Sequence, residues 1–494
     1  MLLVIQSTCL GEPNPLDNWH EIYGPTFTAG GFFGTQRIYS KDIKAIQHIM
    51  RNDQIYLKPP VMQNILKGIL GEGDIIVAER EEHKIQRKVM NPAFGPTQIR
   101  ELTSTFFEKS IEMRDIWNSR ITAEGFGKID SVYWLSKVTV DIIGLTGFNY
   151  HFNALNDPDQ TNELNRAFTT MFHSGECIQR KCREIMMESK AFLAATGEKD
   201  NGWGTKNLLS LILKSNMSSN TPMSDEIFAN QFSEIPTFLI GGHDTTSLAT
   251  NWALLELALH QDIQSKLGQE ILSVPTAMPS VDELNALPYL DAFVRETMRL
   301  HSPITTVNRV ATQDDIIPLS YAFTDRSGIV HSELPVRKGQ LIHLTLHQVN
   351  TDKSLWGPHA REFRPDRWLN VPSGVQAIPG VWSNLLTFWG GTHGCIGWRF
   401  SVTEMKVFLF VLLRSFHFEL GVPKDELTLP LETAFYKWPE IVITNRCKPD
   451  INYIQPYRRG FRTYCICTEV TIIILITSFE EECNAAIPSF NLKM

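Results

Sequence analysis

The stretch that most constrains this chain is Phe388-Trp389-Gly390-Gly391-Thr392-His393-Gly394-Cys395-Ile396-Gly397. Glycines crowd around a single thiol, and the periodic apolar run that follows, Trp398 to about Phe416, predicts a strong helix. Glycine permits positive φ and lets backbone approach a flat ligand closely. A helix start offers free N–H groups and the positive end of the helix dipole, both of which favour a thiolate. A lone cysteine beside a turn is ordinarily a small buried apolar residue. Here the spacing F-x-x-G-x-H-x-C-x-G is long enough to reverse that expectation. A thiolate in such a nest is a good axial ligand for haem iron, with N–H groups at sulfur tuning the metal's potential.

Composition sets the frame around this loop. With 494 residues, 43% hydrophobic and 20% charged, the chain is globular, not disordered, collagen-like or a small disulfide scaffold. A net charge of −8 argues against wholesale nucleic-acid binding. Eight cysteines with no C-x-x-C pair point to reduced thiols in a reducing compartment. A spanning helix needs ~20 largely apolar residues, and none is visible. The best run, Val470 to Phe479, is short and β-branched, so a strand is predicted there.

Along the chain, Trp19 to Ile49 reads as short strands and turns, and Lys67 to Met223 as polar helices. One long helix is predicted from Ser224 to about Leu272. Ser280-x-x-Glu283 is a capping box that opens a helix, and Pro288 suits the first turn of the next, which ends before Pro303. Residues 304–350 alternate and favour strands. The expected class is mainly α with a smaller β part.

Three further segments carry chemistry of their own. In Leu239-Ile240-Gly241-Gly242-His243-Asp244-Thr245-Thr246, two glycines inside a helix cost about 1 kcal/mol each relative to Ala, which suggests a groove where backbone meets ligand. Glu296 and Arg299 stand i, i+3 on one helix face. His83 and Arg87 stand i, i+4 on another, placed to grip an anion such as a haem propionate.

These segments, with Phe363-Arg364-Pro365-Asp366-Arg367-Trp368, resemble in composition and order the motifs of the cytochrome P450 superfamily. The resemblance implies the P450-type haem-thiolate fold and haem b with Cys395 as the iron's axial ligand. It places Phe388, Gly391, His393 and Gly397 in the haem loop, and Gly241 and Gly242 on the oxygen-binding helix. Asp244 and Thr245 would pass protons there. His83, Arg87 and Arg309 would hold propionates, and Glu296, Arg299 and Arg367 would form a buried structural lock. Arginine is commoner than His393 at its place. Because histidine titrates near pH 6.5 when unperturbed, haem retention is expected to fall more steeply above neutral pH than it would with arginine.

Residues His83 to Leu102 (HKIQRKVMNPAFGPTQIREL), Ser233–Trp252, Met278–Pro303 and Ile378–Phe418 resemble microsomal enzymes of fungal secondary metabolism. That branch implies attachment to the endoplasmic reticulum membrane on its cytosolic face. It also implies NADPH-cytochrome P450 reductase as electron donor, O2 as co-substrate and a small lipophilic substrate, often a terpenoid. No nucleic acid is expected as a partner. Arg399 and Lys406, after the loop, would be contacts for an acidic reductase.

The chain divides into an atypical N-terminus (1–18) without the branch's anchor, one haem-thiolate domain (19–446), and an atypical tail (447–494) holding Cys447, Cys465, Cys467 and Cys483. Phe172 to Lys190 is short for the family's substrate-access helices. The favoured reading is a monooxygenase. The alternatives are a haem-binding remnant without turnover and a haem-thiolate isomerase or peroxide-dependent enzyme.

Overall fold

The computed structural model describes residues 15–30, 35–157, 207–217, 234–325, 327–422 and 441–445. Helix α1 (Pro15–Tyr23) leads into strands β1 (Thr26–Gly30) and β2 (Gln36–Ser40), then α2 (Ile43–Arg51), β3 (Tyr56–Leu57) and helices α3 (Pro60–Leu70), α4 (Arg80–Met90) and α5 (Pro96–Asn118). Strand β4 (Phe126–Ile129) precedes α6 (Ser131–Phe148) and α7 (Leu208–Met217). The helical middle is α8 (Glu234–Leu259), α9 (Gln261–Ser273), α10 (Val281–Asn285) and α11 (Pro288–Leu300). Strands β5 (Thr306–Ala311), β6 (Asp315–Thr324), β7 (Val330–Val336) and β8 (Leu341–Thr345) follow, with short helices α12 (Leu346–Asn350) and α13 (Lys353–Trp356). Helix α14 (Trp398–Ser415) and strands β9 (Phe416–Leu420) and β10 (Ile441–Asn445) complete the described order.

Helix ends follow local chemistry. Asp42 caps α2 by accepting from Ala45 N at 3.1 Å, and Asp130 caps α6 by accepting from Tyr133 N at 3.0 Å. The capping box at Ser280 and Glu283 forms as expected. Pro288 opens α11.

The long helix expected over 224–272 is instead two helices that meet at His260. No glycine or proline marks the break. The last carbonyls of α8 find side-chain donors: Gln261 Nε2 donates to Ala258 O at 2.9 Å, and Gln264 Nε2 to Leu257 O at 3.0 Å. Gln264 also ties the corner to β9, accepting from Phe418 N at 2.8 Å. The N-terminal expectation is corrected too. Strands β1 and β2 form, but Trp19–Tyr23 and Ile43–Ile49 are helical; in α2 the apolar residues repeat at helical spacing and bury Ala45, Ile46 and Ile49.

A five-stranded sheet has the order β1-β2-β8-β5-β3, with β2 and β8 parallel and the other pairs antiparallel. Strand β10 lies between β4 and β9, and β6 pairs with β7. Helices α5, α6, α8 and α14 form the main helical layer, packing α6 on α8 and α5 on α14. Their buried faces, such as Phe106, Phe107, Leu254, Phe408 and Phe410, form one continuous core. The run Val470–Phe479, the tail cysteines and the Phe172–Lys190 segment lie outside the described residues.

Candidate active site

The thiol loop is built backward from its helix. Gly397 caps α14, and its backbone N–H, pointed at Cys395 sulfur, lowers that thiol's pKa. Cys395 N donates to Phe388 O at 2.9 Å, closing the loop. Two glycines are required on geometric grounds. Gly391 sits at φ +64, and a Cβ on Gly390 would lie 2.0 Å from Pro379 O.

Cys395 is solvent-accessible, yet surrounding protein raises its pKa against the pull of Gly397 and Arg87. The two observations fit a thiol exposed into a recess rather than on an outer surface. Burial thus opposes the thiolate while the Gly397 N–H and Arg87 favour it; an iron bound at the sulfur would add to the favourable side.

Behind the loop stands the Glu296 lock. Glu296 and Arg299 are both fully buried. Arg299 donates Nε to Glu296 Oε2 at 2.9 Å and NH2 to Oε1 at 2.8 Å. Arg367 Nε and Trp368 Nε1 also donate to the carboxylate, at 2.8 and 3.0 Å, as does Arg364 N at 2.8 Å. Sequence reasoning missed Trp368 as a donor. Arg299 reaches Asn350 O at 2.9 Å. Asn350 in turn accepts from Leu386 N at 3.0 Å and donates to Thr387 at 3.1 Å. Leu386 and Thr387 immediately precede Phe388, so the buried charges position the strand of backbone that carries the thiol loop.

Basic side chains converge from separate elements. Arg87 NH1, from α4, donates to Gly394 O at 2.6 Å. His83 stacks on His393 with ring centroids 3.9 Å apart. Buried Arg309 lies over the Trp389 ring at 5.6 Å. Lys58, unforeseen from sequence, joins them and pairs with Glu79 at 3.0 Å. It sits in a Lys-Pro-Pro turn with no motif to mark it. Among the described residues neither Arg87 nor Arg309 forms an ion pair.

The cluster therefore suppresses its own protonation. Burial, followed by Lys58 and Arg87, pushes His83 down to about 4. Burial, followed by His83, Lys58, Arg309 and Arg87, pushes His393 down to about 2. The basic surroundings thus disfavour the imidazolium form of His393, whose Nε2 also lies 3.6 Å from Glu79 Oε2. Burial also lowers the pKa of Arg87 and Arg309. Cationic groups held under such strain fit a bound dianion, as the two propionates of haem b would be.

Helix α8 meets the thiol helix directly: Thr246 Oγ1 donates to Ser401 Oγ at 3.0 Å. The two glycines before it differ. A Cβ on Gly241 would meet nothing within 4 Å, whereas on Gly242 it would come 3.0 Å from Ile143 of α6. Gly242 thus has a packing reason of its own. Thr245 Oγ1 donates to Gly241 O at 2.6 Å, and Asp244 Oδ1 lies 2.8 Å from His243 Nδ1.

Lys406 is corrected as a docking contact. It is buried, with Nζ donating to Asn285 at 2.9 Å and Asp291 at 2.8 Å, so it ties α14 to α10 and α11. Arg399 lies with its guanidinium over the Trp398 ring at 4.2 Å.

Known proteins give the same answer as this geometry. The family described as Cytochrome P450 matches residues 6–440. The chain is 43% identical over 453 residues to cytochrome P450 monooxygenase 128 of Postia placenta, covering 83% of this chain and 82% of that protein. It is 41% identical over 448 residues to monooxygenase 205 of the same fungus, with 83% and 82% covered. It is 31% identical over 459 residues to a ganoderic acid synthetase of Ganoderma lucidum, covering 81% of this chain and 82% of that one. A recessed thiol fed by a buried charge lock and near-full-length likeness to named monooxygenases converge: the chain belongs to the cytochrome P450 family, oxygen-incorporating oxidoreductases with haem b as cofactor.

Proposed function

We propose that this monooxygenase inserts one oxygen atom of O2 into a small lipophilic substrate of the terpenoid or related secondary-metabolite class. Its electrons come from NADPH through a cytochrome P450 reductase, at the cytosolic face of the endoplasmic reticulum membrane. No helix among the described residues is long and apolar enough to cross a membrane, so the membrane part of the reading rests on the family branch. The observation that carries the proposal is the recessed, accessible Cys395 beside Arg87 and Arg309, neither of which forms an ion pair among the described residues. When bound, haem supplies the oxygen activation and the electron relay.

The chain's own residues do the rest. Cys395 would supply a thiolate to the haem iron. Arg87, Arg309, His83, Lys58 and His393 would hold the carboxylates. Asp244 and Thr245 would relay protons on the α8 side. A buried apolar cluster of Leu66, Leu70 and Val77 packs with Met62, Ile69 and Ile240, the residue before Gly241, so this side of α8 is apolar. The substrate class is further supported by the printed name of the Ganoderma relative.

The reduced carbon monoxide difference spectrum of the haem-loaded chain, with Cys395→Ala as control, tests the ligand. A thiolate-type band lost in the variant is expected, and its absence from the wild type would sink the assignment. NADPH consumption with a reductase and a terpenoid panel then tests the substrate class.

A further inference from the structure

Helix α8 carries a polar contact chain that the roles given to Asp244 and Thr245 do not use. Ser136 Oγ on α6 lies 2.6 Å from His243 Nε2, and His243 Nδ1 lies 2.8 Å from Asp244 Oδ1. The His243 side chain is 14% exposed and that of Asp244 37%. The contact exists because of packing. Ser136 and Ile143 are i, i+7 on one face of α6, and Ile143 is the residue that would collide with a Cβ on Gly242. The missing Cβ lets α6 approach closely enough for Ser136 to reach the next residue of α8.

Which nitrogen carries the proton follows from the neighbours. A carboxylate only accepts, so an unprotonated Nδ1 would set a lone pair against Asp244 at 2.8 Å. With the proton on Nδ1, Nε2 is free to accept from the Ser136 hydroxyl. Without partners, neutral histidine prefers the proton on Nε2, so the arrangement holds the less favoured form.

We propose that His243 is a positioning residue: Ser136 fixes its Nδ1–H form, and that N–H fixes the direction of the Asp244 carboxylate. The role rests on the monooxygenase reading, in which Asp244 handles protons. Thr245 is already anchored to Gly241 O by its own hydroxyl. The carboxylate is the half-exposed member of the pair, and His243 supplies its anchor.

The test has an arm independent of turnover. Long-range 1H–15N correlation on the full chain, labelled with [15N]histidine and assigned by the signal lost in His243→Asn, should show His243 protonated on Nδ1 at neutral pH. Ser136→Ala should shift that signal toward the Nε2 form. An Nε2-protonated His243 in the wild type overturns the proposal.

In the haem-loaded enzyme with reductase, His243→Leu should raise hydrogen peroxide released per NADPH by about twofold or more, since a positioned proton donor is worth roughly a hundredfold or more in transfer rate. His243→Asn, whose Nδ2 stands where Nδ1 stood, should return it to the wild-type level. A leucine variant no leakier than wild type, or an asparagine variant as leaky as leucine, overturns the proposal. A missing thiolate band in the wild type would sink the monooxygenase reading alone, leaving the tautomer result to stand or fall by itself.

Discussion

At the scale of single residues, the thiol loop tolerates little. Gly390→Ala drives a methyl toward backbone oxygen at 2.0 Å, where neither partner can swing aside. The cost should exceed the ~1–3 kcal/mol of ordinary overpacking. The expected outcome is a chain that expresses but binds haem poorly, read as the ratio of haem absorbance to protein. Glu296→Ala leaves Arg299 buried without its carboxylate, and unpairing a buried charge costs about 3–5 kcal/mol. Denaturant unfolding should show the loss. Cys395, His393, Glu296 and Arg299 were picked out in the sequence by motif spacing taken together with the family resemblance. Lys58, Trp368 and Asn350 were not. Their partners lie in distant segments, and no local pattern marks a residue whose role is to meet another chain segment.

At the scale of elements, the α6–α8 contact turns on one missing carbon. Gly241→Ala should stabilise α8 by about 1 kcal/mol, the helix-propensity gain, since its Cβ enters open space. Gly242→Ala should destabilise the chain by roughly 1–3 kcal/mol despite the same gain, because its Cβ presses on Ile143 at 3.0 Å. Ile143→Val in the same chain should recover part of that loss, and paired denaturation curves check the sign difference. The adjacent glycines look equivalent in sequence. Only the neighbouring helix separates them. The break at His260 was hidden for a similar reason: glutamine amides end α8, and glutamine is a good helix former, not a stop signal.

At the scale of the whole molecule, buried neutral histidines make the fold acid-sensitive. Burial pushes His20 and His343 down to about 4. His20 also sits between Gly24 O at 3.0 Å and Thr345 Oγ1 at 2.9 Å. A lowered folded pKa means the unfolded chain binds more protons between pH 4 and 6.5. Their contribution is therefore complete above about pH 6.5 and is lost as pH falls toward 4, by up to about 1.4 kcal/mol per pH unit for each group. Asp74 has the opposite sign. Burial, against hydrogen bonds from Thr237 and Ile76, raises it to about 7, so its contribution weakens as pH rises from about 4 to 7. Urea midpoints at pH 5 and 7 should show higher stability at pH 7 in the wild type. His343→Phe, which keeps an aromatic ring beside Tyr39, should reduce the difference.

The bond from Arg87 to Gly394 spans 307 residues of chain, and the lock from Arg299 to Glu296 closes around backbone as far on as Arg364. On the ribosome, a nascent chain that has emerged only through α11 holds the lock's two charges but neither the thiol nor the backbone that encloses them. The thiol therefore leaves the exit tunnel just ahead of α14, and a transcript cut short before Cys395 yields a polypeptide with no thiolate to offer the iron.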